Sequence, residues 1–442
     1  MPTPKRSLLT EQSVNVVAET DDNSSLFERF GGGDLVIVAA VIASTFFVGF
    51  GGGVIFPILP NLGVVLGISP FVVGLILSAN RFARLVANAP AGIIVDRIGT
   101  RTPFVVGLAI QGAATAGYIV AVNSGIPAAW FIIARIAWGG GSALVFAAAF
   151  TIASDVSDGD TLGTNMGLIR GGVIFGFPAG LVVGGIVSEF YGTVAAFVVA
   201  TVFALIASLL AYVVVPETHV EGDPERSIKP WDVDTSLPAV TIGLVNFAVL
   251  FAYIGVLFAT LVLFLEANDL GVFGLNAQGS SGAFMAITVV AAAVFMLLGG
   301  YISDRRGSRM PALVVFLVVT FIGLVLFAFA ETILSLTVAC LLIGAGQGGT
   351  SGPLMALLGD LTPEDRMGRA VGTNNVFGDI GGGLGPMVSL PLIDLVGFFP
   401  VYIACAVLPL LAGVALLFGV RRETGKFVPR VDGDRPTAGT AD

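Results

Sequence analysis

Four charged side chains stand where the sequence is otherwise apolar: Arg81, Arg84, Arg135 and Asp379. A charge held at the middle of a bilayer costs roughly 2.5–3.5 kcal/mol on insertion scales, so such residues face a partner, a cavity or a solute rather than lipid. Arg81, Arg84 and Asn88 recur at i, i+3 and i+7 and form one stripe of a helix. Asn375 precedes Asp379 by one helical turn and shares its face. Three chemistries are open to this set: a salt bridge, recognition of an anionic solute, and proton carriage by Asp379, the one deep carboxylate. Other chemistries lack their residues. His219 is the only histidine, and Cys340 and Cys405 are the only thiols, both in apolar runs where they read as packing residues. No nucleophile–base pair, metal cluster or phosphate-binding loop occurs. The expectation is a protein that is not an enzyme and holds no cofactor and no metal.

The elements that carry these residues must lie in a membrane. Of 442 residues, 55% are hydrophobic and 12% charged, with 59 glycines and 33 phenylalanines. Soluble domains carry about 25% charged residues. Twelve runs are long enough to cross a bilayer as helices, at roughly 34–58, 70–93, 103–122, 127–153, 164–188, 192–215, 237–265, 280–302, 310–330, 332–358, 369–391 and 398–420. The runs are apolar on all sides, which argues against a β-barrel. Arg84 and Asp379 each lie about nine residues from the same-side ends of their spans, so at ~1.5 Å per residue their depths agree. Arg170 stands only ~6 residues inside its span and reads as an interfacial side chain. Asp34, Glu266, Asp269, Asp360 and Asp394 lie at span edges and read as solvated.

Lysine and arginine fix the expected orientation. With the N-terminus inside, Arg97, Arg101, Arg305, Arg306, Arg309, Arg366, Arg369, Arg421 and Arg422 all fall on the cytoplasmic side, and the outer loops hold none. The expectation is a multi-pass protein of the cytoplasmic membrane with both termini cytoplasmic. The first ~33 residues are polar and acidic and hold no cleavable signal peptide. The formal net charge is −9, with acidic residues crowding the ends and the middle linker. Such a balance keeps proteins soluble at high salt and gives no footprint for nucleic acid.

The sequence repeats itself. AGIIVDRIGTRTP at 91–103 matches GGYISDRRGSRMP at 299–311, with Asp96 and Asp304 standing 208 residues apart. GTNMGLIRGGVIFGFP from Gly163 pairs with GTNNVFGDIGGGLGP from Gly372; Phe177 is inserted before Pro178 in the first copy, whereas Pro386 directly follows Gly385 in the second. Two parallel six-helix halves follow, bracketing a central site. The expected organisation is a tail at 1–33, a bundle at 34–215, a linker at 216–236, a bundle at 237–420 and a tail at 421–442.

These residues resemble the major facilitator superfamily. Gly92, Asp96, Arg97, Gly99 and Arg101 hold the positions of its G-x3-D-R-x-G-x-R signature between helices 2 and 3. Gly300, Asp304, Arg305, Gly307 and Arg309 repeat it. RIAWGGGSA at 135–143 resembles the helix 4 signature, with Trp138 replacing a glutamine, and the glycine–proline pattern of helix 5 resembles the antiporter motif. The resemblance implies an all-α membrane protein of twelve helices in two pseudo-symmetric bundles. It implies that the D-R-x-G-x-R turns latch the cytoplasmic side. Gly99 and Gly307 supply the positive φ that a tight turn needs, and Asp96 would cap a neighbouring helix. It links Arg135 to proton coupling or substrate, facing the cavity or a carboxylate.

In this superfamily helices 2 and 11 face each other, which implies an Arg84–Asp379 pair with Arg81 close by. The repeat positions of Arg81 and Arg84 are Val289 and Ala292, so the stripe is not imposed by the fold. Helices 1, 4, 7 and 10 line superfamily cavities and would contribute Phe46, Phe50, Trp138, Phe146, Asn246, Phe251, Tyr253 and Gln347. Gly176 with Pro178, and Gly385 with Pro386, would act as hinges. The leading expectation is a secondary active transporter that moves a small solute by alternating access, coupled to H+, with efflux by antiport preferred and the chain a monomer in the bilayer. Uptake of an organic anion or oxyanion bound by Arg81, Arg84 and Arg135 stays open. So does a receptor or lipid-handling protein that does not cycle.

Overall fold

The computed structural model describes residues 33–156, 162–218, 234–363 and 366–430. Most of the two tails and the middle of the linker, with His219, lie outside the described residues. Twelve helices are long and apolar enough to cross a membrane: α1 (Val36–Val65), α2 (Pro70–Ile98), α3 (Arg101–Val122), α4 (Pro127–Asp155), α5 (Leu162–Tyr191), α6 (Thr193–Val214), α7 (Leu237–Ala267), α8 (Ala277–Arg305), α9 (Met310–Ala328), α10 (Ile333–Leu361), α11 (Met367–Val396) and α12 (Phe398–Thr424). No strand occurs among the described residues. Several helices run a turn or more past the apolar runs, because polar turns such as Asp96–Ile98 and Ser303–Arg305 remain helical after the apolar stretch ends.

Two spans are irregular in ways that hydropathy does not register. α1 breaks after Val54 and resumes at Leu59, with Pro60 in the first turn of the second piece. α7 widens into a π-helix over Tyr253–Phe258. Such a segment disturbs the regular ladder of backbone hydrogen bonds. Ser389 Oγ of α11 donates to the Gly255 carbonyl at 2.6 Å and so occupies an acceptor inside it.

The two halves repeat one packing scheme. α1 packs on α5 as α7 packs on α11, α2 on α4 as α8 on α10, and α3 on α6 as α9 on α12. Across the halves, α2 meets α11 and α5 meets α8. The arginines of the described helix connections gather on the face where α1 begins and α12 ends; the connections of the opposite face, at 66–69, 123–126, 192, 268–276, 329–332 and 397, contain neither lysine nor arginine. We call the first the basic face.

The apolar core divides unequally between these faces. In the half away from the basic face it is continuous across both bundles, joining Phe56, Leu77 and Leu181 to Phe258, Met285 and Leu390. In the half towards the basic face it splits into two separate clusters, one around Phe104 and Ile152, the other around Leu313 and Leu358. The bundles are thus sealed together at one end and parted at the other.

Candidate functional site

Between the parted halves lies a cavity of about 800 Å³. Its wall comes from the basic-face halves of six helices: Arg81, Arg84 and Asn88 of α2, Phe146 and Phe150 of α4, Arg170 and Ile174 of α5, Asn246 and Leu250 of α7, Met296 and Leu297 of α8, and Asn375 and Asp379 of α11. Arg84 Nη2 donates to Asp379 Oδ1, and Arg81 Nη1 approaches the same oxygen at 3.4 Å. The carboxylate is 8% exposed, while the two arginine side chains keep 20% and 27% of their surface open. The pair spans the two bundles at the inner edge of the α2–α11 seam. Asn246 Nδ2 donates to the Asn374 carbonyl at 2.9 Å and fixes α7 against α11 beside it.

Above this pair the seam is close. Ser78 Oγ donates to the Gly383 carbonyl across the bundles. A Cβ on Gly74 would stand 2.7 Å from Met387 Cα, and one on Gly282 would collide with the Leu181 carbonyl, so both contacts need glycine. At the far end, Glu189 of α5 accepts from the Asn276 backbone N–H at 3.0 Å, where α8 begins. An anion at a helix N-terminus is stabilised by the helix dipole, so Glu189 holds one bundle to the other on that face. Glu189→Gln is expected to weaken this contact and raise the population open to the opposite face by about two- to fivefold, read as increased alkylation of a cysteine placed at Ser281, which is buried beside Gly282 and close to cysteine in size. Unchanged alkylation at Ser281 would show that Glu189 carries no closing energy.

Several expected site residues lie elsewhere. Arg135 is 1% exposed and meets neither the cavity nor a carboxylate. It donates to the carbonyls of Ile76 (3.1 Å) and Leu77 (2.9 Å) and to Asn80 Oδ1 (2.6 Å), with Tyr118 Oη at 3.5 Å and the Trp138 ring 5.8 Å away. Backbone carbonyls of α2 supply the negative ends that a carboxylate was expected to provide. Phe50, Trp138 and Tyr253 are buried in the core, and Phe50 and Tyr253 pack against Phe203 and Phe258. Phe46 packs against Phe47, and Gln347 bonds Ser351 within α10. Of the cavity residues expected from α1, α4, α7 and α10, Asn246 and Phe146 line the space. Arg170, expected at the interface, is on the cavity wall, its guanidinium 5.8 Å from the Phe150 ring.

The repeated turns take the predicted backbone, with φ of +89° at Gly99 and +59° at Gly307. Their charges do not bridge the bundles among the described residues. Asp96 and Arg97 are exposed. The cap expected of Asp96 is made by Glu217 from the start of the linker, which accepts from the backbone N–H groups of Thr100 (2.6 Å) and Arg101 (3.3 Å). Arg101 instead donates to the Tyr212 carbonyl at 2.7 Å. In the second copy Arg309 joins Asp304 to Asp360, at 3.0 Å from the latter. Burial works against the charge on Arg309, but its hydrogen bonds to Asp304 and Asp360 outweigh that and raise its pKa. Arg305 lies over the Tyr301 ring at 5.1 Å, and the faces beside Gly92 and Gly300 are open.

A Cβ on Gly176 would run into the Phe46 carbonyl, and one on Gly385 would stand 2.6 Å from that of Phe251, so the α1–α5 and α7–α11 contacts are alike. Pro178 and Pro386 sit inside α5 and α11. Cys340 and Cys405 are free and buried.

Two bundles closed at one face around a charged cavity at the other are the architecture of a membrane transporter. A profile of the Major Facilitator Superfamily matches residues 41–386, and the chain belongs to that superfamily. It is 24% identical to an uncharacterised MFS-type transporter of Methanocaldococcus jannaschii, over 87% of this chain and 98% of that one. It is 26% identical to the multi-drug resistance efflux pump PmrA of Streptococcus pneumoniae, over 78% and 85%. Among solved structures, a bacterial homologue of the human lysosomal transporter Spinster, inward-facing and unoccupied, superposes with a TM-score of 0.75 at 13% identity, over 89% and 98% of the two chains.

Proposed function

We propose that this protein is a proton-coupled secondary transporter that carries a small solute by alternating access, with the basic face cytoplasmic and both termini on that side. The observation that carries the reading is the division of the core: one apolar cluster across both bundles at one face, two separate clusters at the other, and a charged cavity between them. A receptor or lipid-handling protein that does not cycle has no need of a seam closed by glycine contacts and single hydrogen bonds. Asp379, bridging the halves where the seam ends, is the candidate proton carrier, and the Asp96 and Asp304 turns are the candidate latch of the other conformation. Relatives described as efflux pumps favour export. The positive charge of the cavity favours a second reading, movement of an anion together with a proton.

The test follows from the seam. Gly282→Trp cannot close against Leu181 and is expected to hold the protein open to the opposite face. In that variant a cysteine at Asn375, on the cavity wall, should lose most of its reaction with a membrane-impermeant maleimide applied from the basic side, with gain from the other side. Both native thiols are buried and give little background. Equal labelling with and without Gly282→Trp would refute alternating access.

A further inference from the structure

We infer that the cavity takes an organic anion with a flat apolar body, its anionic group held by Arg81, Arg84 and Arg170 and its body laid on the Phe146–Phe150 wall. The inference rests on the transporter reading and names the chemistry of its cargo. Three guanidinium groups face the cavity against one carboxylate, a net of two positive charges among the described lining residues. Asp379 engages Arg81 and Arg84 through a single oxygen. Each guanidinium offers five N–H donors, so most of theirs stay unspent. Arg170, on α5 of the same bundle as α2, has no acidic partner among the described residues; its guanidinium lies over the Phe150 ring.

Guanidinium forks match carboxylate, phosphate and sulfonate groups, and they pair best where water is scarce. The wall beside them is suited to an aromatic or fused-ring body. Phe146 and Phe150 stack with centroids 6.1 Å apart and planes 22° from parallel, flanked by Ile174 and Leu250. Asn88, Asn246 and Asn375 add neutral amides for polar substituents. A cavity of about 800 Å³ holds a drug-sized molecule. A cationic solute of the same shape would meet two uncompensated like charges in a medium of low dielectric.

A charge series on one ring system tests this on the purified full chain. The anions 2-naphthoate, 2-naphthyl phosphate and 2-naphthalenesulfonate are compared with 2-naphthylmethanol and 2-naphthylmethylamine. At saturating concentration at least one anion should raise Tm by about 2–4 °C, and the alcohol and the amine should not. Arg170→Gln removes a cavity-facing charge with no ion-pair partner among the described residues. It should weaken the anion's Kd about tenfold while leaving Tm without ligand unchanged. Stabilisation by the amine, equal effects across the series, or no response to any of the three anions would overturn the inference. The maleimide contrast of Gly282→Trp separates the failures. If it holds, only the cargo class falls; if it is absent, the transporter reading falls as well.

Discussion

Asp379→Asn is expected to reduce proton-driven solute accumulation by about 100-fold, while exchange of solute without a pH gradient continues. The reason is competition for the same donors. Arg84 and Arg81 both point at Asp379 Oδ1, and an anionic solute in this cavity must draw on those same guanidinium groups. Protonating Asp379 removes its charge and releases them. Proton binding and anion binding therefore favour each other, and by linkage the favour is mutual. Anion affinity in the native protein should therefore be higher in acidic than in alkaline buffer. In the asparagine variant it should be independent of pH and fixed near the acidic limit of the native protein. The charged groups that face Asp379 are Arg81 and Arg84, and a guanidinium does not give up its proton under physiological conditions. Kd for the best naphthyl anion, measured across pH in both proteins, checks the binding; flux in proteoliposomes checks the coupling. A variant that still accumulates solute on a pH gradient would remove Asp379 as the carrier. Loss of anion binding in the variant would reverse the sign of the linkage and point to exchange.

The pairing of Arg84 with Asp379 could be anticipated because charges in apolar spans are scarce. Depth along the span then leaves few partners, and the facing of helices 2 and 11 in the superfamily selects one. The twelve spans and the doubled turn were legible for a similar reason: length, hydropathy and spacing are properties of the chain itself. Rotation of a helix about its axis is not. The phenylalanines of α1 and α4 lie in runs of apolar residues, so nothing in those sequences says that Phe50 and Trp138 turn into the core while Phe146 and Phe150 reach the cavity. The same blindness hid Arg170, whose position near a span end is compatible with lipid headgroups until α5 is placed beside α4.

Contacts to backbone were also invisible. Glu217 and Glu189 bond to N–H groups that open helices, and Ser389 bonds to a carbonyl inside the π-segment. Every residue except proline carries both backbone groups, so no spacing of side chains announces which carboxylate or hydroxyl will find them. The cap assigned to Asp96 failed in this way: Glu217, more than a hundred residues further on, reaches the same helix start.

Arg135→Lys is expected to cost about 2–4 kcal/mol of stability and to weaken anion binding at the same time. The guanidinium reaches two consecutive carbonyls and Asn80 on α2. A lysine keeps the charge but presents a single compact ammonium on a flexible stem and cannot reproduce that fork. Buried hydrogen bonds to a charged group are worth about 1.5–3 kcal/mol each, and an orphaned buried acceptor adds its own desolvation penalty. Ile76, Leu77 and Asn80 immediately precede Arg81 and Arg84, so the contact sets the height and rotation of the stripe that faces Asp379. Arg135 is on this view a positioning residue, and its loss should raise Kd for the anion several-fold without altering the pH at which binding changes. Unfolding of the purified variant measures the first effect, and the pH profile of binding separates the second from a role in proton transfer. A lysine variant that keeps its Tm but loses transport would return Arg135 to the residues that touch solute or proton, the role its position in the helix 4 signature implies.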